Sequence, residues 1–386
     1  MRLRDIRDTS VRGKRVLVRV DYNINVAGGR IRDLARIQST VPTLRWLLAH
    51  GAGIVLVSHR GRPKGRDVRM TMRPMIRPLA RAIGKKVTFF SQPIRSAALR
   101  QAIEQVRPGT LGLLENIRFD SGEERNSLVL ARHLATLGDI FVNDAFADSH
   151  RGHASIVGVA RLLPSFAGLL LQTEVKELTH LCGRVRRPYV AIIGGAKIST
   201  KLGVVKQLLR RTDYVLLGGA LANTVLQAEG LAVGRSLTEP AMVKASAGLS
   251  VAQPRLKIPV DVIVSSGPGT IRACSVGQVG AKETIVDIGP DTVELFRRII
   301  VKAKTIVWNG PMGRYEQPPY DRGTLAVARA IGRTPGRSIA GGGETLDAIH
   351  RSGQAPRFTF LSTGGGAMLE FLEGKILPGL RAVAQT

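Results

Sequence analysis

Cysteine is almost missing from this chain: Cys182 and Cys274 are the only two in 386 residues. Two thiols are too few for a disulfide framework or a structural zinc site, and they fit a reducing compartment. Aromatic residues make up only 4% of the chain, and no zinc-finger or RNP-type motif occurs. Both absences argue against a dedicated nucleic-acid reader. Long apolar runs are lacking too. The longest nearly apolar stretch, Leu162 to Leu171, is about half of a membrane span. The opening residues MRLRDIRDTSVRG are charged and hold no apolar block, so no signal peptide is read and a cytoplasmic protein is expected. The G-x-x-x-x-G-K-[ST] and G-x-G-x-x-G nucleotide motifs are both absent, as are a G-x-S-x-G elbow and any Cys/His ligand cluster. Secretory, fibrous, disordered and membrane classes fall away.

What is present is an ordinary globular composition, 44% hydrophobic and 22% charged, long enough for two or three domains. The charge is one-sided, with 57 basic against 29 acidic residues and a net of +28. Arginine supplies 43 of the basic residues and lysine 14. Residues 1–150 hold 27 basic and 13 acidic residues, and the other 236 hold 30 and 16, so positive charge is denser early in the chain. Such a field suits nucleic acid, anionic lipid or phosphorylated metabolites. The bland alternative is solvated surface arginine.

Short apolar runs alternate with amphipathic stretches. Arg15 to Tyr22 reads as a strand, Leu34 to His50 as a helix, and Gly53 to Val57 as the next strand. Strand-like runs recur at Leu111–Leu114, Ile140–Val142, Tyr189–Ile193, Tyr214–Leu217, Ile258–Val264, Thr305–Trp308, Ser338–Ala340 and Thr359–Leu361. Continuous apolar strands separated by helices imply parallel sheets covered on both faces. The expected fold is therefore α/β, with two doubly wound parallel-sheet domains of similar size joined by a helical hinge. The boundaries expected are 1–165 for the first domain, 166–187 for the hinge, 188–371 for the second domain and 372–386 for a tail. A helix is expected from Phe166 to Leu181.

In open α/β sheets, ligands sit beyond the carboxyl ends of strands. In the first domain those ends carry Asp21 and Asn23, then Arg36 a turn later, His59, Arg60 and Arg62 in SHRGRP, Arg118 after LLEN, and Arg151 after FVNDAFADSH. Guanidinium forks there suit carboxylate and phosphate oxygens. Any one of them alone is more simply a solvated or salt-bridged side chain. The second domain offers glycine turns: Gly194-Gly195-Ala196-Lys197, Gly218-Gly219, Gly341-Gly342-Gly343-Glu344-Thr345 and Gly364-Gly365-Gly366. Glycines let backbone approach closely, and helix N-termini present free N–H groups to phosphate. Lys197 and Lys201, four apart, are expected on one helix face. An anion-binding domain and a phosphate-cradling domain are what phosphoryl transfer to a small anionic acceptor requires.

At these residues the sequence resembles phosphoglycerate kinase, nearly end to end. The resemblance is carried by VRVDYN, SHRGRPKG, LLENIRFDSGEE, FVNDAFADSHRGHAS, IIGGAKISTKL, LLGGALANT, VDIGPDTVELF, TIVWNGPMGRYE, SIAGGGETLDAI and LSTGGGAMLEFLEGKILPGL. It implies phosphoryl transfer between 1,3-bisphosphoglycerate and ADP, with Mg²⁺, by hinge-bending closure in a cytoplasmic monomer. It implies that Asp21, Tyr22, Asn23, Arg36, His59, Arg60, Gly61, Arg62, Arg118 and Arg151 bind phosphoglycerate. Gly195, Lys201, Asn309, Glu316, Gly342, Gly343, Glu344 and Thr345 would bind ATP or ADP, with Glu344 at the metal. Arg36, Lys197 and the N–H groups of Gly364, Gly365 and Gly366 would stabilise the group in transit. The tail would fold back onto the first domain.

The sequence departs from the family's usual pattern at several places. Ile24-Asn25 replaces Val-Pro, which is expected to loosen the turn aiming Asn23. Arg60 replaces a leucine and is expected to add charge at a crowded site. Arg314 stands near Glu316 where a small apolar residue is usual, Thr200 replaces a common Asp, and Glu344 stands where Asp is common. A non-catalytic relative binding anions or nucleic acid, and a kinase for another phosphorylated acid, are the alternatives.

Overall fold

The computed structural model describes residues 1–27, 30–31, 34–247, 249, 253–267 and 269–385. The chain divides into two compact units, Met1–Lys176 with Ile376–Thr386, and Glu177–Lys375.

The first unit is built on a parallel sheet of six strands, in the order Val87–Phe90, Leu111–Leu114, Gly53–Val57, Arg15–Arg19, Ile140–Asn143, Ser165–Ala167. Its inner strands are buried on both faces because each supplies apolar residues in both directions. Val16, Val18, Ile54, Leu56, Leu113 and Val142 pack on one face with Leu44 and Leu47 of the helix Ala35–Ala49. Leu17, Val55, Val57 and Phe141 pack on the other with Leu130 and Leu134 of the helix Leu128–Ala135. Each such fully buried side chain contributes about 2 kcal/mol. The register Val16↔Ile54 and Val16↔Ile140 aligns the carboxyl ends of the three central strands.

The C-terminal segment belongs to this unit. Leu3 bridges Ala384, and Gly379 N–H donates to the Ser149 carbonyl at 2.8 Å. Asn143 Nδ2 donates to the Gly379 carbonyl at 3.2 Å. The tail thus braces the loop that carries Asp148 and Arg151.

The second unit has its own six-stranded parallel sheet, in the order Leu256–Lys257, Tyr214–Leu217, Tyr189–Ile193, Thr305–Asn309, Arg337–Gly341, Phe360–Ser362. Val190, Ile192, Leu216, Ile306 and Trp308 pack with Phe296, Ile300, Val327 and Ile331 of two covering helices.

Two expectations are corrected. The run Ile258–Val264 does not join the parallel sheet. Asp261–Gly267 is the middle of a separate three-stranded antiparallel sheet with Thr270–Ser275 and Thr284–Ile288. Its half-exposed residues beyond Val264 suit a sheet with one open face. The helix expected from Phe166 begins at Leu169, because Ser165–Ala167 is the edge strand of the first sheet.

Candidate functional site

The carboxyl ends of the first sheet hold a cationic cluster. Asp21 follows Arg15–Arg19 and forms an ion pair with Arg36, in the first turn of Ala35–Ala49. Asn23 is fixed without the missing proline. Its Oδ1 accepts from Gly61 N–H at 2.9 Å, its N–H donates to Asp21 Oδ1 at 3.0 Å, and Ile24 beside it is buried. The expected loosening of this turn is therefore not seen. Arg118 Nη1 donates to the Gly61 carbonyl at 2.5 Å, so the same loop is held from below.

Arg60 does not add a free charge to the site. Its Nε donates to the Ile24 carbonyl at 3.2 Å, and its Nη1 donates to the carbonyls of Arg69 at 2.7 Å and Thr71 at 3.1 Å. It is a buried staple between two loops. Tyr22 is buried as well. Its side chain is 0% exposed and its hydroxyl pairs with Thr40 Oγ1 at 2.8 Å. Arg62 is exposed on the SHRGRP loop.

Beneath the cluster runs a buried network that sequence reasoning missed. Arg19 is 1% exposed. It donates to Ser155 Oγ at 2.9 Å and to the Val20 carbonyl, and it pairs with Asp148 at 3.0 Å. Ser155 Oγ donates in turn to Glu123 Oε1 at 2.6 Å. Asp148 also lies 3.5 Å from Arg151 Nε and 3.4 Å from His59 Nδ1. The available signal was an arginine inside the apolar strand VLVRV. Desolvation drives the His59 imidazole down to about 3, and Arg19, Arg118 and Arg151 reinforce it against Asp148. Burial alone would raise the Asp148 carboxyl. His59, Arg19, Arg151 and Arg36 hold it well below the usual range instead.

Asp21, His59 and Asp148 place ligand atoms within 4.8 Å of one another, as a metal centre would. The carboxylates are already neutralised by Arg36 and Arg19, and Arg118 and Arg151 stand close by. A divalent cation would meet four guanidinium groups, so the cluster suits an anion.

In the second unit the glycine turns converge. A cavity of 400 Å³ is lined by Thr200, Lys201, Asn309, Gly310, Gly342, Gly343, Glu344, Thr345, Gly365, Gly366, Leu369 and Glu370. Two helices, Gly343–Arg351 and Gly366–Glu373, begin on it, and their first N–H groups have no partner within the helix. Gly364 N–H is already given to Ser362 Oγ at 3.2 Å, leaving Gly365 and Gly366 to serve a ligand. Asn309 Nδ2 donates to the Gly341 carbonyl at 2.8 Å, and Thr345 Oγ1 accepts from Gly310 N–H at 2.7 Å. These two polar side chains hold the strand ends together.

Lys201 donates to the Gly194 carbonyl, and burial pushes its ammonium down to about 8 against the pull of Glu344. The two lysines do not share a helix face, because the helix begins only at Leu202. Lys197 lies on an exposed turn and lines neither this cavity nor the next.

A second cavity, of 320 Å³, adjoins the first at Glu344 and includes Gly195, Gly219, Asn223, Leu237, Met312, Arg314 and Glu316. Its apolar walls, among them Leu237 and Met312, were not singled out in the sequence. Asp287 also lines it, with burial pushing its carboxyl up to about 7 despite N–H bonds from Gly323 and Ile288. Gly219 needs its missing side chain here. It has φ +66°, and an added Cβ would meet Gly195 N at 2.6 Å. A slot with one largely apolar chamber and one chamber of free amides, a cation and two carboxylates, Glu344 and Glu370, matches a nucleoside polyphosphate and its counter-cation.

The sequence profile described as Phosphoglycerate kinase matches residues 6–375. The chain belongs to the phosphoglycerate kinase family. It is 45% identical over 391 residues to a phosphoglycerate kinase of Pelotomaculum thermopropionicum, covering 99% of each chain. It is 46% identical over 394 residues to one of Thermus thermophilus, covering 99% of this chain and 100% of the relative. The solved phosphoglycerate kinase of Pyrococcus horikoshii OT3 superposes with a TM-score of 0.88 at 34% identity, covering 99% and 98% of the two chains. That of Coxiella burnetii gives 0.84 at 35% identity, covering 99% and 100%. The reaction of this phosphoglycerate kinase family member is phosphoryl transfer between 1,3-bisphosphoglycerate and ADP, giving 3-phosphoglycerate and ATP. The reading as a non-catalytic relative that binds nucleic acid finds no support in these likenesses.

Proposed function

We propose that the cationic cluster of the first unit holds the phosphoglycerate and that the paired cavities of the second hold the nucleotide. Asp21, Asn23, Arg36, His59, Arg62, Arg118 and Arg151 bind the acceptor, with Gly61 contributing backbone to the loop they share. Tyr22 and Arg60 set the shape of that loop. The apolar chamber takes the base and ribose, with Glu316 at the ribose. Lys201 and the amides of Gly342, Gly343, Gly365 and Gly366 take the phosphates.

In transfer, the bond from the acyl oxygen of 1,3-bisphosphoglycerate to phosphorus breaks as a β-phosphate oxygen of ADP bonds to that phosphorus. The leaving carboxylate keeps its electron pair, so no proton needs a destination. The charge spreads over the three equatorial oxygens in transit. Arg36, Lys197 and the amides of Gly365 and Gly366 face that charge, and preorganised donors of this kind are worth about 3 kcal/mol each.

Glu344 fits a magnesium partner. It is an exposed carboxylate on the rim shared by the two cavities, and Mg²⁺ uses one or two carboxylates beside phosphate oxygens. When bound, Mg²⁺ neutralises phosphate charge. Hinge bending belongs to the same proposal, because in-line transfer needs the two substrates in contact. So do a monomeric state and a cytoplasmic setting, which the free thiols Cys182 and Cys274 suit.

The observation that carries this reading is the convergence of Lys201, Glu344 and two helix N-termini on one cavity. A coupled assay with 3-phosphoglycerate and MgATP tests it. Lys197→Ala is expected to lower kcat by about 10²-fold or more while KM changes little. Equal kcat in variant and parent would remove the role given to Lys197.

A further inference from the structure

His59 has one ring nitrogen with a defined donor and one with none. Nδ1 lies 3.1 Å from Arg19 Nη2, in hydrogen-bond geometry. A guanidinium has donors only, so Nδ1 must accept. A neutral ring that accepts at Nδ1 carries its proton on Nε2. Nε2 is buried and has no hydrogen-bond partner. Asp148 Oδ2 is 3.4 Å from Nδ1 but receives no hydrogen bond from it.

Arg19 is held rigidly enough to impose this choice. Ser155 Oγ and the Val20 carbonyl accept from it, Glu123 fixes Ser155, and Asp148 balances its charge. The charged groups facing the ring are Asp148, Arg19, Arg118 and Arg151, and Asp21, which lies within 4.8 Å and is paired with Arg36. Three cations stand against Asp148, and Arg36 neutralises Asp21, so a second proton on the ring is disfavoured.

We propose that Arg19, paired with Asp148, is a positioning residue that fixes His59 as a neutral Nε2–H donor for an anionic oxygen of the phosphoglycerate. The inference rests on the acceptor's placement in the cationic cluster. Its consequence is that the His59 contribution to binding stays constant across the pH range in which an ordinary histidine titrates. Without Arg19, the ring proton moves to Nδ1 and bonds Asp148. Nε2 then presents a lone pair to an anion and must gain a proton before it can donate.

Long-range ¹H–¹⁵N spectra of the unaltered, ligand-free protein read the tautomer directly, with His59 assigned by its loss in His59→Gln. A protonated Nε2 and a bare Nδ1 are expected, unchanged from about pH 5.5 to about pH 8. A protonated Nδ1, or a titration inside that window, overturns the proposal. Addition of 3-phosphoglycerate is expected to move the Nε2 signal. A ring of the stated tautomer that ignores 3-phosphoglycerate overturns the donor role and the acceptor's placement, while the tautomer itself stands. In Arg19→Met, KM for 3-phosphoglycerate is expected to rise by up to about tenfold per pH unit above the new histidine pKa, with kcat changing less. A pH-independent KM in that variant overturns the proposal. Should Arg19→Met fail to fold, the spectrum of the unaltered protein decides.

Discussion

Lys201 sets function against stability, and its replacement by methionine measures the conflict. Its ammonium is pushed from 10.5 to about 8, chiefly by burial. That drop corresponds to about 3 kcal/mol of cost for keeping the cation folded at neutral pH. Methionine of similar length removes that cost and loses one charge-assisted hydrogen bond to the Gly194 carbonyl, worth about 2 kcal/mol. The ligand-free second unit is therefore expected to gain about 1 kcal/mol at pH 7. The gain must depend on pH with a definite sign. Between about pH 8 and about pH 10.5 the unfolded parent binds more protons than the folded one, so the parent's stability rises with pH and the variant's advantage closes. Trp46 and Trp308 are the only tryptophans, and Trp308 lies in the second unit's core, so urea unfolding in a Trp46→Phe background follows that unit alone. In the coupled assay, Lys201→Met is expected to lose about 10²-fold or more in kcat/KM. A destabilised variant, or a stability difference that does not change between pH 7 and pH 10, would refute the argument from burial.

Arg60→Ala leaves the carbonyls of Ile24, Arg69 and Thr71 without their donor. It is expected to cost the first unit about 2–4 kcal/mol, read from Trp46 fluorescence in urea in a Trp308→Phe background, and to raise KM for 3-phosphoglycerate. Asp144 caps the helix Leu169–Cys182 through the N–H groups of Leu170 and Leu171, and burial raises its carboxyl to about 7. The folded protein therefore holds this proton between about pH 4 and about pH 7, and its stability falls as pH rises through that window. Asp144→Asn should remove the Asp144 share of that slope from denaturation curves measured across it, leaving the share that comes from Asp287 in the second unit. Gly219→Ala combines φ +66° with a Cβ only 2.6 Å from Gly195 N, whereas Gly353→Ala at φ +71° meets nothing within 4 Å. The first is expected to cost several-fold more in stability and to weaken ADP binding in calorimetry, and the second to cost about 1 kcal/mol with ADP affinity kept.

The inner strands were legible because a doubly covered parallel strand is apolar nearly throughout, and VLVRV (Arg19 apart), GIVLV and YVAII have no polar alternation to confuse. The edges were not. Val87–Phe90 and Ser165–Ala167 are short, and edge burial is partial, so their patterns do not separate from those of a helix or loop. Asp261–Gly267 was misplaced for a related reason. Its first half reads as a buried strand, and only pairing with the distant Thr284–Ile288 shows that it turns into another sheet. In the site, the positions of charged residues after strands were readable, but their partners were not. Nothing local in SHRGRP says that Arg60 reaches back to Ile24, and nothing in IIGGAKISTKL says that Lys201 folds toward Gly194 while Lys197 stays on the surface. Long flexible cations choose among acceptors that only the tertiary fold brings near.

The excess of arginine over lysine follows the same logic. A guanidinium offers donors in two directions from one plane, and an ammonium offers a point. Arg60 uses that geometry to join carbonyls of separate loops, and no lysine could reach Ile24, Arg69 and Thr71 together. Arg118 bonds the Gly61 carbonyl, Arg45 the Ala82 carbonyl, Arg351 the Tyr315 carbonyl and Arg187 the Arg211 carbonyl. Each of these bonds ties down a loop or the end of a helix. Among the described residues, Lys375 with Glu373 is the lysine ion pair, and arginine supplies the other pairs made by these two residue types. With 29 carboxylates against 57 cations, the chain cannot pair every cation with an acid, and it ties several arginines to the backbone. Those bonds carry no net partner charge and keep the sum at +28, which makes the net charge a record of loop stapling as much as of any anionic ligand.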